Sequence, residues 1–232
     1  MDLFNGVEII IDMLRAFPQE LSDKSLSLTA SISGSVIRLF YSIVLPEPVS
    51  RLWVELLVEW PEVAEIVSKL VRGAELSEID KQWIKELADA SGWDVEDLVE
   101  DLKSFGLDSS TRAERYRKFF EEYYMKALQL AREGDTRQAG EKIRGAVTAL
   151  IKLHTAKKGV PIMHWDHGKL HNYVSNSVEK ELRNIFRRLL LVADELHRHF
   201  YEGFLDTDTF NVYFNEACKL IEEIRKALES RD

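Results

Sequence analysis

From Thr111 onward the apolar residues recur every three or four positions, and the pattern breaks at Gly134-Asp135 and again at Gly159-Val160-Pro161. That spacing presents one face per helical turn. It cannot be laid out on a strand, whose side chains alternate with period two. Tyr116, Phe119, Phe120, Tyr123, Ala127 and Leu130 form one stripe, and Ala139, Ile143, Ala146, Val147, Leu150, Ile151 and His154 form the next. No stretch of the 232 residues gives a convincing two-residue alternation between turn signals. The expected fold is all-α.

Start and stop signals divide the chain further. Thr111 with Glu114, and Asp135 with Gln138, fit capping boxes. A short helix is expected over Lys169–Ser177, a long one from Val178 to about Phe200, and a last one capped by Thr207 or Asp208 and running through Leu228. Ahead of these, Pro and Gly bound helices expected over Leu3–Phe17, Lys24–Leu45, Pro48–Trp60, Pro61–Arg72, Ser77–Ala90 and Asp94–Gly106. The short polar stretch Gly106–Thr111 marks a boundary. Residues 1–108 read as a small acidic helical domain, and residues 111–232 as an antiparallel bundle of four main helices with one short extra helix.

Charge changes across the boundary. Residues 1–110 carry 9 Lys+Arg against 21 Asp+Glu, and residues 111–232 carry 22 against 19, which together give the chain's net charge of −9. The acidic part should repel nucleic acid, whereas the second part tolerates it. The apolar runs are too short or interrupted to span a bilayer, and the start lacks the pattern of a secretory leader. Cys218 is the single cysteine, so a reducing, cytoplasmic setting is expected. Few Gln and Asn beside many Glu, Lys and Arg is the bias of heat-adapted proteins.

Ile84–Leu107 has the spacing of a helix-turn-helix. Its second helix, Asp94-Val95-Glu96-Asp97-Leu98-Val99-Glu100-Asp101-Leu102, would bring carboxylates to phosphate. A DNA-reading regulator is therefore disfavoured against a packed hairpin or a protein-contact module.

Five of the six histidines fall in or just after the loop from Lys157 to His167, or in the segment Glu195–Leu205. His164, His167 and His171 are candidate metal ligands at spacings of three and four, with Asp166 adjacent; the bland alternative is loop histidines that bond a helix start. Lys157 and Lys158 suit a helix C-terminus by charge alone, and with the loop histidines they also suit an anionic ligand. His197, His199 and Tyr201 close the long helix. His199 and Tyr201 are candidates for acid–base work in RNA cleavage, set against a purely structural role in closing the bundle end with Trp165 and Phe204. No Glu-x-x-His pair supports a di-metal centre. No glycine-rich phosphate cradle exists, and no cofactor is expected.

The region from about Arg115 to Leu205 resembles the archaeal PaREP family. The resemblance rests on Ala127–Ala131, Gly134-Asp135, Ala139–Val147, Lys158-Gly159-Val160-Pro161 and, most specifically, Leu196–Leu205. That family is in turn similar to HEPN domains, helical bundles found with nucleotidyltransferases and in toxin–antitoxin pairs. Many of these cleave RNA with an Arg followed by His-x-Tyr. Here His199-Phe200-Tyr201 matches the His-x-Tyr end, but five residues back stands Asp194, and Arg187 and Arg188 lie too far upstream. The resemblance thus implies a non-catalytic binding module for a nucleotide, RNA or a protein partner, using Lys157, Lys158, His164, His167, His171 and His197. A ribonuclease using His199 and Tyr201 is the alternative. A homodimer is the default assembly, supported by the aromatic surplus at Phe119, Phe120, Tyr123 and Tyr124.

Overall fold

A computed structural model describes residues 56, 59–104, 108–160, 162 and 167–229. Among the described residues there are eight helices and no strand: α1 (Pro61–Arg72), α2 (Glu78–Ser91), α3 (Val95–Lys103), α4 (Ser109–Glu133), α5 (Thr136–Lys157), α6 (His167–Asn176), α7 (Lys180–Glu202) and α8 (Thr207–Glu229). The helices expected over Leu3–Phe17 and Lys24–Leu45, and most of the one through Trp60, lie outside the described residues.

Local chemistry accounts for the boundaries. Gly73 and Gly203 take left-handed φ values of 65° and 62° and stop α1 and α7. Ser77 and Asp80 cap α2 reciprocally: the Asp80 N–H donates to Ser77 Oγ at 3.2 Å, and the Ser77 N–H donates to Asp80 Oδ2 at 2.8 Å. Asp135 caps α5 by accepting from the Gln138 N–H at 3.1 Å. Two caps differ from expectation. α4 starts at Ser109, so Thr111 lies inside its first turn. α8 is capped by Asp206, which accepts from the Thr209 N–H at 2.8 Å and from its hydroxyl at 3.1 Å. The acidic residue one step before Thr207 wins because its two oxygens satisfy both groups.

The chain forms two compact units. Of the first, the described part is α1, the start of α2 and α3, with Val63, Ile66, Val67, Ile84, Leu98 and Leu102 buried. Lys69 bridges Glu65 and Asp80 at 2.8 and 2.9 Å. Glu96 and Glu100 stand exposed on α3. The second unit takes Leu87–Asp94, Ser109–Lys158 and Ile162–Asp232. It therefore includes the last turn of α2 and the bend after it, ahead of the polar stretch where the sequence changes character.

In that second unit α4, α5, α7 and α8 run alternately up and down, and α5 is the axis. Every residue of α5 from Ala139 to Ala156 is buried, charged ones included. Two glycines make this close packing sterically feasible. A Cβ on Gly140 would sit 2.6 Å from the Leu196 carbonyl oxygen of α7, and one on Gly145 would sit 2.5 Å from the Gly92 carbonyl oxygen. Backbone thus lies directly against backbone on two sides of α5. Trp93, from the bend after α2, fills the next space. Its Nε1–H donates to the Gly145 carbonyl at 3.0 Å, and its ring meets Phe119 edge-on at 5.1 Å. Phe119, Phe120, Tyr123 and Tyr124 are all buried within the chain, so these aromatic side chains are packed internally.

Substitution Gly140→Ala forces α5 and α7 apart or strains both. The expected cost is about 1–3 kcal/mol, read as a lower denaturant midpoint at unchanged m-value. A midpoint equal to that of the parent would show that the backbones do not meet there.

Candidate functional site

Glu141, Arg144 and Thr148 recur at intervals of three and four and share one face of α5. Asp194, His197 and Tyr201 do the same on α7. Because the two helices are antiparallel and held close at Gly140, these faces meet. His197 Nδ1 lies 2.6 Å from Glu141 Oε2. Three residues further along each helix, Arg144 Nε lies 3.2 Å from Asp194 Oδ1. The other oxygen of Asp194 meets His171 Nε2 of α6 at 3.0 Å. The result is a row of opposite charges and imidazoles, His171–Asp194–Arg144–Glu141–His197, built from three helices.

Arg144 is the anchor of this row. It is 0% exposed. Burial pulls its pKa down, opposed by the charge of Asp194 and then of Glu141. A guanidinium remains charged even so. Its Nη1–H donates to Thr148 Oγ1 at 2.9 Å, and the Thr148 hydroxyl donates to the Ser91 carbonyl at 3.3 Å. The outer end is more open. The Tyr201 ring stands edge-on to His197 at 5.1 Å, is 53% exposed, and donates its hydroxyl to the Asp89 carbonyl at 3.3 Å. Burial, then the charges of Glu141 and Asp89, push its pKa up to about 12. At neutral pH Tyr201 is therefore a hydrogen-bond donor and not a base.

His199 does a different job. Its Nδ1 accepts the Leu205 N–H at 3.0 Å, which leaves Nε2 to donate to Thr136 Oγ1 at 3.1 Å. Phe204 and Phe210 flank the ring, each at 5.9 Å. Burial, then the nearby Arg137 charge, lower its pKa and favour the neutral ring. Tyr201 is thus paired with His197, one helical turn away. It is not paired with His199, two positions away on another face of α7.

The remaining candidates separate. Lys158 pairs with Glu179, whose other oxygen lies 2.9 Å from His154 Nε2; His154 Nδ1 in turn lies 2.8 Å from the Tyr173 hydroxyl. Lys157 and Lys158 sit at the far end of α5, about 24 Å along the axis from Glu141 at 1.5 Å per residue. His164 and the side chain of His167 lie outside the described residues. The third member of that trio, His171, bonds Asp194. Among the described residues no group of three or more His, Cys, Asp or Glu side chains is disposed to hold a metal ion.

The fold and this ion row define the second unit as a helical bundle organised around a buried charged axis. Over residues 115–221 the chain matches the model of the archaeal PaREP1/PaREP8 family. That stretch, which is similar to the family, holds Glu141, Arg144, His171, Asp194, His197 and Tyr201. No curated protein and no solved structure matches the chain. No described helix is long and apolar enough to cross a membrane.

Asp194→Ala strands the Arg144 charge in the interior, and the expected cost is about 3–5 kcal/mol. Removing both charges together, as Arg144→Met with Asp194→Leu, should restore at least half of that loss. Equal destabilisation by the single and double variants in urea unfolding would show that Arg144 and Asp194 are not coupled.

Proposed function

We propose that the second unit is a non-catalytic, HEPN-like binding module for a phosphate-bearing ligand, a nucleotide or RNA, which it takes at the Tyr201–His197 end of the ion row. One observation supports this above the others: two histidine–carboxylate pairs from three helices flank one fully buried arginine, which pairs with Asp194 and feels the charge of Glu141. Such a row fixes the donors in place before a ligand arrives, which lowers the ordering cost of binding. Tyr201 supplies an exposed ring for a base. His171, 39% exposed at its side chain, stands at the other end of the row. In the cytoplasm the acceptor would be a nucleotide or single-stranded RNA, and a nucleotidyltransferase or antitoxin partner would bind through the same end.

A ribonuclease reading draws support from a specific arrangement. The position where RNA-cleaving HEPN domains carry Arg holds Asp194, yet Asp194 faces Arg144 of the neighbouring helix. On this reading the buried Arg144 would act on a phosphate only through its field, and His197, oriented by Glu141, would be the base in place of His199.

Calorimetric titration with nucleoside monophosphates and a short single-stranded RNA, together with a gel assay for cleavage of the same RNA, separates these readings. Binding without cleavage, weakened at least tenfold by His197→Ala and by Tyr201→Ala, is the expected result. Cleavage lost in His197→Ala would make the module an enzyme. Binding unaffected by both variants would overturn the site.

A further inference from the structure

The two ends of the bundle differ in charge. The halves of α4, α5, α7 and α8 at the end where α4 and α7 begin are residues 109–120, 147–157, 180–190 and 218–229; they carry 13 Lys and Arg against 5 Asp and Glu. The opposite halves, 121–133, 136–146, 191–202 and 207–217, carry 6 against 9. The ion row belongs to the second, acidic end. The basic end has no part in the function proposed above.

At that basic end α4, α5 and α8 surround a small open cleft of about 60 Å³. Its lining joins three cations, Arg117, Lys157 and Arg225, one from each helix, to the apolar side chains of Phe120, Leu150, Leu153 and Leu228. Glu121 is the one carboxylate in the lining. Arg117 and Arg225 each meet a carboxylate one turn back on their own helix, Glu114 at 3.7 Å and Glu222 at 3.1 Å. Those pairs lie at the surface, where they are weak, and a guanidinium has five N–H donors to offer. Arg225 also lies 5.8 Å over the Phe120 ring, which holds its planar head at the mouth of the cleft.

A lining that is cationic in part and apolar in part selects for a molecule with both characters. Water alone gains nothing from the leucines, and neither does a bare anion. By the same volume measure one water needs about 10–15 Å³, so the cleft holds a few water-sized groups and no bulky ring system. We infer that the α4–α5–α8 cleft binds an amphipathic anion, a phosphate or carboxylate head at the cations with a short aliphatic or flat apolar segment on Phe120, Leu153 and Leu228. Field focusing by the surrounding basic half-bundle draws such anions to this end at low salt.

The test is calorimetric titration of the full chain with hexyl phosphate, with hexanoate and with inorganic phosphate. Hexyl phosphate or hexanoate should bind, and inorganic phosphate should bind at least tenfold more weakly than the better of the two. Which of the two binds more tightly identifies the head group. Arg225→Gln should weaken the better ligand at least fivefold, and Leu228→Glu, which puts a carboxylate in the lining of the cleft, should remove binding while circular dichroism stays that of the parent chain. Lack of heat with both amphiphiles, equal affinity for inorganic phosphate, or binding unchanged in both variants would overturn the inference. None of these outcomes depends on the His197–Tyr201 end.

Discussion

A helix buried on every side yet rich in charge is the constraint that organises the second unit. Glu141, Lys142, Arg144, Lys152 and His154 of α5 are all withdrawn from water. Each would cost several kcal/mol in the interior without a partner, and each has one on another element. Glu141 meets His197 and Arg144 meets Asp194. Lys142 reaches Asp94 at 2.7 Å and lies 5.0 Å over the Tyr123 ring. Lys152 lies 4.8 Å over the Tyr116 ring and 5.4 Å over that of Trp93. His154 lies between Tyr173 and Glu179. These pairs reach α4, α6, α7 and the bend after α2, so a shift of any neighbour by one turn would break at least one of them. Apolar packing supplies the driving force, while the pairs specify a single register.

The same arrangement explains where chemistry can occur. A charge deep in a bundle is held by its neighbours and does not relax when a ligand approaches, which is the condition for a preorganised site. The row from His171 to His197 emerges at Tyr201, whose ring is half exposed. Lys142 and His154 also reach the surface, through the Asp94 carboxylate and through Glu179 with Lys158. The basic cleft at the other end has a different character: its cations are at the surface and its interior is apolar.

Much of the architecture was legible in the residues. Gly73, Gly92, Gly134 and Gly159 all take positive φ at helix ends, and the Asp135–Gln138 cap lies where the capping pattern put it. The site was less legible, for physical reasons. Periodicity identifies apolar faces and gives no sign that charged residues such as Arg144 and Lys152 of α5 are buried. Their burial follows from α5 being enclosed on all sides, which Gly140 and Gly145 permit. Those two glycines, with Arg144 between them and Ala146-Val147 after, were the available signal. At the end of α7 the linear motif His199-Phe200-Tyr201 drew attention to a pair on different helix faces. The partner of Tyr201 is His197, four positions back, and a helical wheel shows this where a linear pattern does not. Arg144 and Asp194 lie far apart in sequence, and their meeting is a property of the antiparallel packing alone.

Native-state hydrogen exchange tests the central role of α5 most directly. If this helix is the enclosed axis on which the bundle depends, its amides from Ala139 to Ala156 exchange only through global unfolding, with a single opening free energy equal to that from denaturant titration. Exchange of those amides through local opening, at a free energy well below the global value, while α4 or α8 stays protected, would contradict the account.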